Sequence, residues 1–418
     1  MALTGLGMTV RRARLAPRQY HRARAIVAGT ALACLCSIGL SACGSSFKGK
    51  VSLSTSSGPV GTVVNISGDA GKGCVVDTNW LGFDFERFGD LTKGPAMEMT
   101  TPIAANGTWS AEFRVPSYLG GSATRGPGGP VSPGRYEVTA PTCKKGVTAV
   151  AAFRVTAGQP AGASTDWVAM AVTLDGNGYW LAQADGHVAA YGDARSYGSL
   201  SATEAGPATP IVGIAHTYDA KGYWLVNRAG HVFSFGDARS YGSLTASEAA
   251  QAPVTNIAAT PLGKGYWLMG ANGHVYAFGN AQADGSPSTE LAPFDAIEPR
   301  PAGGYVLTEA ANGGIVPYPG GTLVYYGAGS AISGMFVGTA ITPSGNGAWE
   351  AGMDGGVYNW GADAKFYGSV QSIGATIKAP ITAIADTPAG NGYWLLSADG
   401  SLLPFGAAGY FGAPGGKS

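Results

Sequence analysis

From residue 166 to the C-terminus, short apolar bursts alternate with polar turns. IVGIAHT (211–217) runs through a polar turn into GYWLVNR, and a second turn leads into HVFSFGD. Bursts of this length, rich in Val, Ile, Tyr, Phe and Trp and punctuated by Gly, Asn, Asp and Pro, predict strands rather than helices. Side chains alternate between the faces of a strand, so Tyr223 and Leu225 point one way while Trp224 and Val226 point the other. Both faces are then apolar. A lone sheet of that kind cannot stand in water, so a neighbouring sheet must cover each side.

The burst pattern repeats. GYWLVNRAGHVFSFGDARSYGSL at 222–244 follows GYWLAQADGHVAAYGDARSYGSL at 178–200. The landmark falls at Gly178-Tyr179-Trp180, Gly222-Tyr223-Trp224, Gly265-Tyr266-Trp267, Gly304-Tyr305-Val306, Gly347-Ala348-Trp349 and Gly392-Tyr393-Trp394. The steps are 44, 43, 39, 43 and 45 residues. A period in the low forties with several strands per unit is the length of one propeller blade. The expectation is therefore six blades of four strands, the last strand running around Tyr-Gly-Ser, with a stacked β-solenoid as the alternative. Pro317 and Pro404 share one position inside the third strand, which suits a ladder only where the missing N–H faces a short or absent fourth strand. In the turns, Asp193 and Asp237 are read as caps of their own backbone.

Residues 48–156 carry shorter alternating bursts, among them VSLSTSSGPVGTVVNISG, NGTWSAEFRVP and PGRYEVTAPTC, which predict a small β-sandwich. The linker AGQPAGAST (157–165) separates it from the repeats at 166–418. The fold class is thus all-β. The SGPVGT turn before the second strand resembles bacterial Ig-like surface modules, which implies a spacer or adhesive domain.

Composition supports a folded chain: of 418 residues only 12% are charged, 10% are aromatic and 67 are Gly. The net charge of zero hides an asymmetry. Six arginines lie before Cys43 with no acidic partner, and without them 20 basic residues face 26 acidic ones, a net −6. That balance argues against nucleic acid as a partner.

RRARLAPRQYHRAR (11–24) precedes an apolar run from Ala25 to Leu40 that is short for a membrane span and right for a secretory signal. The run ends in Leu40-Ser41-Ala42-Cys43-Gly44, which resembles the lipobox of bacterial lipoproteins. The resemblance implies a signal peptide at 1–42, lipidation of Cys43, a tether at 43–47 and attachment to the outer side of the membrane. Ordinary cleavage or an uncleaved anchor are the alternatives. Cys74 and Cys143 remain as an even pair in an oxidising compartment and are expected to form a disulfide, two buried thiols being the alternative. The repeats resemble the GYWL…DGGVFxFGDAxxYGS family of extracytoplasmic actinobacterial proteins, which implies the repeat fold and the compartment but no activity.

Candidate chemistry comes from comparing the units. The first strand of a propeller blade lines the channel, and one of its positions reads Ala171, Ala215, Ala258, Glu298, Ala340, Ala385. The next reads Val172, His216, Ala259, Pro299, Ile341, Asp386, with Arg300 following in the fourth unit. His216, Glu298, Arg300 and Asp386 are therefore expected near one channel mouth as a polar ligand site, the alternative being that Glu298 and Arg300 pair in solvent on a degenerate blade. His187, His231 and His274 recur after a turn, but equivalent positions diverge from the axis, so turn packing is expected rather than a metal site. No nucleophile elbow, zinc motif, P-loop or CxxC occurs, and no cofactor is expected. These features predict a non-enzymatic module that binds an envelope glycan or protein. The rival is a lyase or hydrolase working at the channel mouth.

Overall fold

The computed structural model describes residues 50–58, 62–69, 80–87, 96–102, 108–115, 118–119, 129–130, 134–141, 148–155, 166–200, 209–287, 294–310, 313–320 and 336–417. Cys43, Cys74 and Cys143 lie outside these residues, as do the signal segment and the linker. In the N-terminal part a three-stranded sheet joins Lys50–Leu53, Val63–Asp69 and Thr108–Arg114. A five-stranded sheet runs through Ser57–Gly58, Thr148–Val155, Gly134–Pro141, Trp80–Arg87 and Ala96–Pro102. Among the described residues of this part, Val64, Ile66, Trp109, Val115, Tyr136, Val138, Phe153 and Val155 are buried apolar side chains.

The repeat region forms, among the described residues, six antiparallel sheets of three strands each, a β-propeller-like arrangement. The first strands are Trp167–Val172, Ile211–His216, Val254–Ala259, Phe294–Pro299, Phe336–Ile341 and Ile381–Asp386. The GYW strands are Gly178–Gln183, Gly222–Asn227, Gly265–Gly270, Tyr305–Glu309, Gly347–Gly352 and Gly392–Ser397. The third are Val188–Gly192, Val232–Gly236, Val275–Gly279, Ile315–Tyr318, Val357–Gly361 and Leu402–Gly406. Each first strand carries a register shift near its start, the extra residue that lets an edge strand bend and twist.

The expected fourth strand is replaced. Residues 194–200 and 238–244 leave the sheet as extended, non-strand chain. Ser199 and Ser243 in these segments, and Ser286 in the corresponding stretch 281–287, accept the outward N–H of Val188, Val232 and Val275 at 2.9, 2.9 and 3.0 Å. In these three units one hydroxyl thus does part of what a ladder would do, and the third strand is the outer edge. Pro317 and Pro404 sit on that edge, opposite Val306 and Trp394, where no ladder N–H is required. A four-residue helix, Ala246–Ala249, capped reciprocally by Thr245 and Glu248, interrupts the otherwise β architecture between the second and third sheets.

The repeated phrase is a set of bonds. Trp180, Trp224, Trp267, Trp349 and Trp394 each donate the indole N–H to a carbonyl of their own unit, those of Arg195, Arg239, Gln282, Lys365 and Gly409. The tyrosine hydroxyls reach backwards, Tyr266 to Gly242, Tyr305 to Gly285, Tyr393 to Gly368 and Tyr223 to Gly198 in the preceding unit. The glycine has no alternative: a Cβ on Gly178 would lie 2.4 Å from the Asp193 carboxylate and 2.6 Å from the Tyr191 carbonyl. Asp193 and Asp237 themselves take the hydroxyls of Thr173 and Thr217, 20 residues upstream, at 3.0 and 3.2 Å, so they tie the two turns at one end of the sheet.

Each sheet packs on the next. Trp180 meets Tyr223, Trp224 meets Tyr266, Trp267 meets Tyr305, Trp349 meets Tyr393, and Trp394 returns to Tyr179 on the first sheet with ring centroids 6.0 Å apart. The seam between last and first sheets is built like the others. The Ile211 N–H donates to Ala184 of the preceding sheet, and the Trp167 N–H donates in the same way to Ala398. Burying a Trp ring contributes about 5 kcal/mol as an upper figure, so these seams dominate the core.

Candidate functional site

Because six first strands stand side by side around the ring, they wall a central channel of about 1310 Å³. Buried residues recur along each first strand, with partly exposed ones between them. The seam between the fourth and fifth sheets departs from the rest. Val306 stands where the other units place Trp, and Ala348 where they place Tyr, so this seam lacks its aromatic pair. Directly opposite Val306, Glu298 takes the position held by alanine elsewhere. Trp360 replaces the Phe or Tyr of the third strand opposite Ala348, and its indole N–H donates to Glu350. Glu350 in turn stands where all five other units have Leu. Thr308 and Thr339 bridge the seam hydroxyl to hydroxyl at 2.7 Å.

His216, Glu298 and Asp386 all line the channel, from the second, fourth and sixth sheets, near the ends where the first strands exit. They face inward from every second sheet. Burial pushes Glu298 up to about 8, and the negative charge of Asp386 adds to the effect. Asp386 is pushed up to about 7, again chiefly by burial. His216 is held below the ordinary imidazole range because burial disfavours its charged form, and its Nδ1 lies 2.7 Å from the Thr217 carbonyl. A neutral ring that donates from Nδ1 leaves Nε2 as an acceptor. Arg300 lies beyond the strand end, in a turn closed by its own N–H to the Gly304 carbonyl, and is not among the channel-lining residues.

His187, His231 and His274 pack edge-on against Trp167, Phe233 and Tyr276 on three different sheets, with ring centroids 5.9, 4.5 and 4.5 Å apart.

Two features were not singled out in the sequence. Past the exit ends of the first strands of sheets one to three, Leu174, Tyr218 and Leu262 are 53, 64 and 63% exposed, and Leu174 and Tyr218 line the same channel as the three titratable groups. The signal was present in part: Leu174 and Tyr218 share one column, immediately after the turn Thr, while Leu262 falls one position later, after Pro261. The second is Asp295 in the channel wall. Its carboxylate is sealed from solvent, neither oxygen has a hydrogen-bond partner, and burial raises it well above the carboxylate range. The nearby amides of Asp295 and Ala296 only partly oppose that rise. Its column otherwise reads Val168, Val212, Thr255, Val337 and Thr382.

No protein-family model matches the chain, and no curated protein matches it. Among solved structures it is similar to a structural-genomics protein of unknown function from Bacteroides thetaiotaomicron, at 11% identity and a TM-score of 0.38, over 84% of this chain and 96% of that one.

Proposed function

We propose that this chain is a cell-envelope lipoprotein, anchored through Cys43, in which an Ig-like sandwich stapled by Cys74 and Cys143 carries a six-bladed, three-strand-per-blade propeller that binds an envelope glycan without chemical turnover. The observation that carries the reading is the channel mouth. An exposed tyrosine, Tyr218, and an exposed leucine, Leu174, line the same channel as His216, Glu298 and Asp386, and that channel is large enough for a small oligosaccharide. Sugar rings offer apolar C–H faces to an aromatic ring and hydroxyls to polar groups. Carboxyls held protonated near neutral pH donate hydrogen bonds, and a neutral imidazole accepts them, so the mouth has both functions.

The test uses the full chain in a nonionic detergent, applied to immobilised envelope polysaccharides and a glycan array. Wild type is expected to retain a reproducible subset, and Tyr218→Ala to bind that subset at least about tenfold more weakly, the loss of one well-placed aromatic contact. Equal binding by wild type and variant would overturn the assignment to this mouth.

A second reading draws on the raised carboxyls. Two carboxyl groups with pKa values near neutrality, facing one channel, are what general acid–base hydrolysis or elimination requires. Release of soluble fragments from the retained polysaccharide, abolished by Glu298→Gln, would replace binding with catalysis.

A further inference from the structure

One seam of the ring is built differently from the other five. At those five a Trp of one sheet meets a Tyr of the next, and the Tyr hydroxyl bonds a glycine carbonyl of the preceding unit. Between the fourth and fifth sheets Val306 and Ala348 hold the two places, and alanine has no hydroxyl to give. The buried apolar contact there is Val306, Ile315 and Ala348, with Ile341 and Trp360 half-buried against it.

Carboxyl groups enter this seam from both sides. Glu350 lies two residues along its strand from Ala348, on the same face. A Cβ on Gly313, in the fourth sheet's turn, would lie 2.9 Å from its carboxylate, so the side chain reaches across the seam. One oxygen takes the Trp360 N–H and the other has no partner. Asp295 comes from the fourth sheet, with both oxygens sealed from solvent and unpartnered, and its charge acts on Glu350. Glu298 is the third carboxyl, opposite Val306 in the column whose alanines, Ala215, Ala258 and Ala340, pack in other seams. The groups facing them are Thr308 and Thr339, which bond one another, and Tyr358 and Trp360 of the fifth sheet, stacked with centroids 6.4 Å apart. Glu309 ends the fourth sheet's second strand, where its backbone closes the turn at Gly313 and Gly314. Asp386 acts on Glu298 from the sixth sheet. Among the described residues no basic side chain acts on Asp295, Glu298 or Glu350.

We propose that the seam between the fourth and fifth sheets is a proton-dependent latch: it is the junction at which the ring parts as pH rises, opening the channel wall between the strands Phe294–Pro299 and Phe336–Ile341. A carboxyl sealed in such a place is tolerated while it carries its proton. Once ionised it needs a counter-charge or water, and water reaches it only if the sheets separate. The separation is local, because the seam that carries the carboxyls is also the one that lacks the Trp–Tyr pair. Burial raises Asp295 and Glu350 well above the carboxylate range and pushes Glu298 up to about 8. The closed seam therefore holds protons that an opened one releases at the ordinary values of 3.8 and 4.5. Closure is complete below those values and is lost as pH rises from them toward the raised ones. The inference does not depend on what the channel mouth binds.

The test is hydrogen exchange on the full chain in nonionic detergent, read amide by amide. Each seam supplies one equivalent amide, because the first residue of each first strand donates its N–H to the preceding sheet. Trp167 donates to Ala398, Ile211 to Ala184, Val254 to Arg228, Phe294 to Ala271, Phe336 to Ala310 and Ile381 to Met353. Comparison at one pH cancels the chemical pH dependence of exchange. Relative to its five counterparts, the Phe336 N–H is expected to lose protection at least about tenfold between pH 5 and pH 8. Glu350→Leu restores the residue of the other five units and should reduce that loss to about threefold or less. If this variant does not fold, Asp295→Val carries the same expectation, since Val168, Val212 and Val337 fill that column in three other units. The latch is overturned if Phe336 tracks its counterparts at both pH values, if all six amides lose protection together, or if neither variant reduces the loss.

Discussion

Glu298 shows what one residue can do to a repeated fold. At its position five units have alanine lying under a tryptophan; here the tryptophan has become Val306 and the alanine has become glutamate, so the volume is partly restored but the chemistry changes. A glutamic acid in that place binds a proton that the unfolded chain would release. Between its ordinary value of 4.5 and about 8 the folded state therefore holds more protons than the unfolded one, and stability falls as pH rises through that window. Asp386 acts in the same direction up to about 7. Each tenfold change in proton affinity is worth about 1.4 kcal/mol, so water entering the channel leaves an effect of a few kcal/mol at most. Urea denaturation at pH 5 and pH 8 checks this. Wild type should lose on the order of 2 kcal/mol between them, and Glu298→Gln should lose clearly less and be the more stable protein at pH 8. An unchanged pH slope in the variant would assign the titration elsewhere.

At the scale of the element, the GYW strand holds three separate contacts in three consecutive residues. Gly allows the third strand's turn to approach, Tyr bonds the preceding unit, and Trp bonds its own. Burial pushes Tyr223 up to about 12, so its hydroxyl remains a donor at any physiological pH. Trp224→Phe keeps an aromatic ring in the seam but removes the donor to the Arg239 carbonyl, and should cost about 1–3 kcal/mol. Tyr223→Phe removes a bond to the neighbouring unit and should cost about 1 kcal/mol, with both read from denaturant midpoints. Much of this element was legible from alternation alone. Tyr223 and Leu225 do face the first sheet, and Trp224 and Val226 the third, because a two-residue period leaves no freedom once both faces are apolar. The fourth strand was not legible. YGSL has the composition of a strand, yet a serine hydroxyl satisfies the edge N–H, and nothing in an apolar-polar pattern distinguishes a side-chain acceptor from a carbonyl. Asp295 and Glu350 were missed for a related reason. Alternation marks them only as interruptions, and their meaning comes from which column of the repeat they interrupt.

For the whole molecule, the decisive feature is that the seam between the sixth and first sheets repeats the bonds of the others. Thr382 donates to the Trp167 carbonyl at 2.8 Å, Tyr179 donates to Gly412 at 2.7 Å, and the Phe411 N–H returns to the Tyr179 hydroxyl at 3.0 Å. The C-terminal residues also add a parallel bridge from Lys417 to Leu402. The segment after residue 406 is thus the sixth unit's outgoing chain, and it packs against the first sheet as 194–200 and 238–244 pack against the second and third. A linear stack would tolerate loss of its last few residues, because only one terminal neighbour is affected. A closed ring would not: Tyr179 would lose its bonds to Gly412 and Phe411 and its contact with the Phe411 ring, Trp394 would lose its acceptor at Gly409, and the closing seam would be weakened. Truncation after Gly406 should therefore lower the apparent melting temperature of the entire repeat region by about 10 °C or more rather than fray one end. Circular dichroism and tryptophan fluorescence should lose signal together, since the five seam tryptophans lie in five different sheets. A truncated chain that melts at the wild-type temperature, with only a small part of the signal lost early, would mean that the sheets stand as an open series and that the channel is not the organising feature of the molecule.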